Sequence, residues 1–197
     1  MRPERRPMPR QLPLLAVVLV LATSARSLDA QAPTACEAAR VREELNARYA
    51  QLADANRSKD LDALLALRAR DYVADLPDGT QSNYEVAANY SRALFEQVQK
   101  IANLSNTILK LRFNGNEATA TVFQQFSRTQ MKAGAVRNID TSAIQDETWA
   151  RTPQGWELRR VSHIHARKWY VDGKRVDPNK PYDPQAPPYN PPIDADE

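Results

Sequence analysis

The chain has 197 residues, with 27 Lys and Arg against 24 Asp and Glu, 14 Pro, 5 Gly and a single Cys. That length holds one ordinary domain with appendages, and the composition excludes collagen, a coiled coil and a disulfide scaffold. In the first 30 residues Arg2, Arg5, Arg6, Arg10 and Arg26 face only Glu4 and Asp29, and without these the chain carries 22 basic and 22 acidic residues. A neutral remainder offers no electrostatic footprint for nucleic acid or for an anionic membrane.

Residues 1–30 have the three-part layout of a secretory signal peptide. Met1 to Gln11 is basic, Leu12 to Ala22 is apolar, and Thr23-Ser24-Ala25 and Leu28-Asp29-Ala30 are small-residue cleavage candidates. The apolar run rises only about 16 Å as a helix against a hydrocarbon core of roughly 30 Å. The pattern therefore predicts export with cleavage, a periplasmic or extracellular location, and no membrane contact afterwards. Lipid anchoring through Cys36 is the disfavoured alternative, because Pro33-Thr34-Ala35 lacks the Leu of a lipid-attachment signal.

Thr34-x-x-Glu37 is a capping box, followed by Val41, Leu45, Tyr49 and Leu52 on one helical face. This predicts a helix of about five turns ending near Asn56 to Ser58. Asp60 caps a second, shorter helix through Leu61, Leu64, Leu65 and Leu67. Tyr72 to Leu76 reads as a strand closed by the turn Pro77-Asp78-Gly79. A second box, Ser82-x-x-Glu85, opens a third helix with Val86, Tyr90, Leu94 and Val98 on its apolar side.

From Asn103 the hydrophobic period becomes two, with Thr107, Leu109, Leu111 and Phe113 on one face and Ile108, Lys110 and Arg112 on the other. Asn114-Gly115 is a strong hairpin signal; as a two-residue loop it sets Arg112 opposite Glu117, Leu111 opposite Ala118 and Leu109 opposite Ala120. The next strand runs through Val122 and Phe126. A polar loop from Lys132 to Asn138 leads to a strand from Ser142 to Arg151, the turn Thr152-Pro153-Gln154-Gly155, and a last strand from Trp156 to Tyr170. Residues 175–197 are Pro-rich and almost free of aliphatic side chains, which predicts an extended, disordered tail.

Helices followed by long antiparallel strands, closing on Trp149-Ala150-Arg151-Thr152-Pro153-Gln154-Gly155-Trp156, resemble the nuclear-transport-factor-2-like (NTF2-like) superfamily, in its SnoaL-like and DUF4440-like branch. The resemblance covers residues 34–174. It implies an α+β cone, with three N-terminal helices packed on a strongly curved antiparallel sheet around an apolar pocket, and commonly a homodimer through the sheet. The family includes isomerases, dehydratases, hydrolases and cyclases, so membership sets architecture more than activity.

Proton transfer in such a cone needs a carboxylate or imidazole on the concave face. The catalytic candidates are His163, Asp146 and Asp75. Trp156 and Leu158 have opposite strand parity to Val161 and His163, so a bulge near Arg159-Arg160 is needed to give them a common face; that bulge would carry His163 into the pocket. In a simple register Asp146 then lies opposite Val161, diagonal to His163. His163 and His165 are the only histidines and lack further imidazole partners, so no metal site and no cofactor is expected. Tyr49, Tyr72, Tyr90, Phe126, Trp149 and Trp156 could line a pocket for a small apolar or aromatic ligand; cross-strand packing is the alternative for the two tryptophans. Gln124 and Arg128 share the face of Phe126 and lie near the mouth or a dimer surface. The readings are a ligand-binding domain without turnover, a cofactor-free isomerase, dehydratase or cyclase, or a dimeric interaction module.

Overall fold

The computed structural model describes residues 34–178 and 180–191. The predicted export segment lies outside the described residues. The described residues belong to one compact unit. Its elements are α1 (Ala35–Ser58), α2 (Leu61–Ala66), β1 (Arg68–Asp75), β2 (Gln81–Asn83), α3 (Tyr84–Gln97), β3 (Val98–Asn114), β4 (Glu117–Lys132), β5 (Ala135–Thr152), β6 (Gly155–Val171) and β7 (Lys174–Arg175). No helix among the described residues is long and apolar enough to cross a membrane.

The helix starts follow local chemistry. Thr34 and Glu37 form the expected capping box at α1, with the Thr34 hydroxyl accepting from the Glu37 N–H at 3.2 Å and the Glu37 carboxylate accepting from the Thr34 N–H at 2.9 Å. Asp60 caps α2 by accepting from the Ala63 N–H at 2.9 Å. At α3 the cap is Asn83, not Ser82; its side-chain oxygen accepts from the Val86 N–H at 3.0 Å, while Ser82 is buried inside β2. The buried side of the helix also differs from the expected one. Ala87, Ala88, Ser91 and Phe95 face inward, and Val86 and Tyr90 of the predicted apolar side are 53% and 67% exposed.

The sheet runs β2-β1-β6-β5-β4-β3, with β7 on β6. It is not wholly antiparallel, because β1 pairs in parallel with β6 through Val73↔Arg160 and Ala74↔Val161. Strands β3 to β6 hold 16 to 18 residues, a span of about 55 Å each, too long for a flat sheet to cover a small core. Bulges provide the bend. On β3 the register breaks at Gln99, Ala102 and Leu109, and on β6 at Arg159, at His163-Ile164 and at Arg167, while β4 and β5 pair without interruption. The result is a curved open sheet in a mixed α+β fold, with α1 packed against β3 and β6 and α3 against β1, β2 and β3.

Three local expectations change in register. The β3–β4 turn is Gly115-Asn116, so Asn114 pairs Glu117, Leu111 pairs Ala120 and Arg112 faces Thr119. Slippage by two residues preserves which face each side chain takes. The Leu109 bulge then exchanges the faces beyond it: Ile108 enters the core at 7% exposure and Leu109 leaves it at 48%. The polar stretch around Lys132 to Asn138 is not a loop. Ala133 and Gly134, both at positive φ, make a two-residue turn between Lys132 and Ala135, and β5 begins there.

The core is filled where α1 lies on the concave face: Val41, Leu45, Tyr49, Tyr72, Ile108, Val122, Trp149, Trp156, Leu158 and Val161 form one cluster. The common face of Trp156, Leu158 and Val161 depends on a bulge at Arg159, one of the two arrangements their parity allows. In the stretch read as a disordered tail, 175–197, the Val176 N–H donates to the Trp169 carbonyl at 2.9 Å and the Tyr189 N–H to the Arg175 carbonyl at 3.0 Å.

Candidate functional site

The uninterrupted pairing of β4 with β5 makes the sides of the sheet unambiguous. Ala118, Ala120 and Val122 of β4 are fully buried under α1, so the even residues of β4 and their odd partners on β5 face the concave interior.

Glu147 lies on that inner face, opposite Ala120 and Val161. It is 3% exposed and accepts three hydrogen bonds: from the Tyr49 hydroxyl at 2.8 Å, the Gln145 amide at 2.7 Å and the Trp149 indole at 3.2 Å. No cation is among its partners. Burial pushes its carboxyl above the usual carboxylate range, against the lowering effect of the three donors. The Tyr49 hydroxyl is pushed up by burial and by the neighbouring carboxylate. Tyr49 and Trp149 meet edge to face at 5.4 Å, and Trp156 donates to Glu44 at 2.8 Å. Tyr49, Tyr72, Trp149 and Trp156 are thus packed core residues at 6% exposure or less.

The expected acid and base groups take the opposite face. The Arg159 bulge sets Ser162, rather than Val161, opposite Asp146, and the second bulge holds His163 at φ +50°. His163 Nδ1 lies 3.1 Å from Asp146 Oδ2, whose other oxygen accepts from the Thr121 hydroxyl at 2.7 Å. The predicted pairing of His163 with Asp146 exists, but the His163 side chain is 74% exposed on the outer face. Asp75 is on the rim beside it, bound by Arg160 at 2.9 and 2.6 Å and by Gln81 at 2.8 Å. The bonds from Arg160 and Gln81 hold its carboxyl below the usual range. His163 in a left-handed conformation costs on the order of 1 kcal/mol.

The far half of the concave face has a different character. Rows crossing β3-β4-β5 bring together Asn106, Gln124 and Ala143, then Leu104, Phe126 and Thr141 with Trp169 of β6, then Ile101, Arg128 and Ile139 with Val171. Arg128 is 9% exposed, stacks its guanidinium 4.5 Å over the Phe126 ring, and donates through Nε to Gln130 at 2.5 Å. Asn106 accepts from Gln124 at 3.0 Å. The remaining donors of this surface, Asn106 Nδ2, Arg128 Nη1 and Trp169 Nε1, are shielded from solvent and have no acceptor.

Two cavities open elsewhere. One of about 670 Å³ lies between α2, β1 and α3, where Arg68, Arg70 and Arg92 mix with Asp62, Glu85 and Glu157. The other, of about 490 Å³, lies within the tail around Tyr182 and Tyr189. Neither is lined by a predicted site residue; in the first, Arg68 lies 5.2 Å over the Tyr72 ring and its buried Nε has no acceptor. Among the described residues no three His, Cys, Asp or Glu groups converge as metal ligands would.

No family model matches the chain, and no curated protein matches it. Solved structures do. An NTF2-like protein from Cytophaga hutchinsonii superposes with a TM-score of 0.51 at 14% identity over 61% of this chain and 94% of that one. A dehydratase candidate of the NTF2-like family from Streptomyces avermitilis gives 0.52 at 14% identity over 61% and 93%. A type 2 hexachlorocyclohexane dehydrochlorinase, LinA, gives 0.56 at 10% identity over 78% and 100%. The chain has the NTF2-like fold.

Within this NTF2-like fold, the sequence argument missed Glu147, Asn106 and Trp169. Glu147 stands two residues before Trp149, so strand parity alone puts it beside that core residue. Trp169 and Asn106 left no comparable signal, because three bulges on β6 and the Leu109 bulge on β3 interrupt the period that would have placed them.

Proposed function

We propose that this chain is an exported small-molecule binding domain, in which the helices and the far half of the concave sheet face enclose a ligand that is held without turnover. The observation that carries this is the set of buried donors without acceptors, Asn106 Nδ2, Arg128 Nη1 and Trp169 Nε1, beside the Phe126 ring. An orphaned buried donor costs about 1 to 3 kcal/mol. Three on neighbouring rows of one surface suit a ligand with an aromatic body and an acceptor end. Of the residues expected to bind ligand, Phe126 belongs to this place. Glu147 supports no reaction there, because all its donors are protein groups in a packed core.

Small aromatic compounds should change the intrinsic tryptophan fluorescence of the mature protein, and Trp169→Phe should remove that change while the compound is recovered unaltered. No response from the parent protein, or an equal response from Trp169→Phe, contradicts the proposal. Conversion of the compound that falls at least tenfold in His163→Gln would instead favour the second reading, a cofactor-free isomerase, dehydratase or cyclase. The observation behind that reading is the left-handed backbone of His163 and its contact with Asp146.

A homodimer through the outer sheet face belongs to the same proposal. Met131 and Val136 form a cross-strand pair on that face and are 44% and 49% exposed. Sedimentation should show a dimer that Val136→Lys weakens; a monomeric parent protein would remove this part.

A further inference from the structure

Arg128 is a guanidinium inside the fold without a counter-ion. Its Nε is used by the neutral Gln130, its face by the Phe126 ring, and its Nη1 by nothing. Among the described residues no carboxylate lies within ion-pair distance of it. Asp140, the acid that acts on it at longer range, is exposed and pairs with Ser127 on the outer side of the sheet. A second cation shares the surface: the Lys132 ammonium sits 5.5 Å from the Trp169 ring and 5.6 Å from the Tyr182 ring. Burial, and then the charge of Arg128, push the Lys132 ammonium down.

A buried charge is tolerated when it is paired and hydrogen-bonded, and a guanidinium stays charged at any ordinary pH. Arg151 pairs with Glu44, Arg159 with Asp71 and Arg160 with Asp75, whereas half-buried Arg68, over the Tyr72 ring, has an unmatched Nε as Arg128 has an unmatched Nη1. Around the more deeply buried Arg128 the inner-face groups are amides, apolar residues and an aromatic ring: Gln124, Gln130, Ile101, Ile139 and Phe126. Asn106 Nδ2 and Trp169 Nε1 add two neutral donors from the flanking strands.

We infer that the ligand of the concave face carries a carboxylate, which supplies the acceptor oxygens that Arg128, Asn106 and Trp169 lack, while its apolar body lies against Phe126 and Leu104. This inference rests on the binding reading given above. A carboxylate fits the planar guanidinium fork and adds one negative charge where the chain places only positive ones. A neutral amide of the same shape meets the donors with one oxygen and leaves the charge uncompensated.

The test is a calorimetric titration of the mature protein with benzoate, phenylacetate and hexanoate, each beside its primary amide. At least one acid should bind about tenfold or more tightly than its amide, since a charge-assisted bond is roughly twice as strong as a neutral one. Arg128→Gln should bring that ratio near one, and Arg128→Lys, which keeps the charge and loses the fork, should retain an intermediate preference. Arg128→Lys also serves where the Gln variant fails to fold. Acids and amides that bind alike while Trp169 still responds would overturn the carboxylate and leave the binding reading intact. An acid preference unchanged in both Arg128 variants would overturn the role of Arg128. Failure of every acid and every amide to bind would overturn both.

Discussion

At the residue scale the interior is governed by how each buried polar group is matched. Glu147 is matched completely, with a donor on each oxygen and two on one of them, yet it has no cation, so its charged form is disfavoured in the folded state. The carboxyl is raised on folding, so its contribution to stability is fully present below the unfolded pKa and is lost as the pH climbs through the folded one. Glu147→Gln removes that dependence. Denaturant titrations at pH 4 and pH 8 should therefore show the variant gaining on the parent protein toward pH 8, by about 1.4 kcal/mol for each unit by which the carboxyl is raised. A difference that stays constant between the two pH values would show that Glu147 ionises normally.

Elements were legible in the sequence wherever one local signal decided them. The Thr34 and Glu37 capping box, the Asp60 cap and the Pro77-Asp78-Gly79 turn are in place, the last with the Thr80 N–H donating to Asp78 at 3.0 Å. The readings failed where a bulge or a near-equivalent residue competed. Asn83 displaced Ser82 as the cap of α3, and Gly115-Asn116 displaced Asn114-Gly115 as the turn. Bulges cannot be seen in a period of two, because each reverses the face of everything beyond it. The opposite parity of Trp156 and Val161 offered the Arg159 bulge as one of two alternatives, the other being that the two groups face opposite ways. The further bulge at His163 had no such pair to reveal it, and it sends the imidazole outward. Ala133 is a residue that chemistry alone would not place in a tight turn, at φ +49°. Ala133→Gly should raise the thermal midpoint by about 2 to 4 °C, corresponding to relief of about 1 kcal/mol of left-handed strain in a domain of this size. A lowered midpoint would mean that the turn does not hold this conformation in solution.

At the scale of the whole molecule, curvature divides the concave face into two regions. Under α1 the face is a closed core of aromatic and aliphatic groups around Glu147. Beyond Val122 it becomes a surface of amides, rings and an unpaired guanidinium. The outer face carries the exposed His163 and Asp146 pair and the Met131 and Val136 pair. The sequence foresaw an α+β layout and the shared face of Gln124, Phe126 and Arg128. It did not reveal where the closed core ends and the polar surface begins, because that boundary depends on which strands meet after six bulges.

The three tryptophans of the chain make the boundary measurable. Trp149 and Trp156 donate their indole N–H groups to Glu147 and Glu44, whereas the Trp169 N–H has no acceptor. The most direct measurement is the set of indole N–H resonances of the ¹⁵N-labelled protein during titration with the carboxylates named above. A saturating downfield shift of the Trp169 resonance, with Trp149 and Trp156 nearly still, is the predicted result. Shifts confined to Trp149 and Trp156, or no shift in any of the three, would contradict a ligand site on the far half of the concave face.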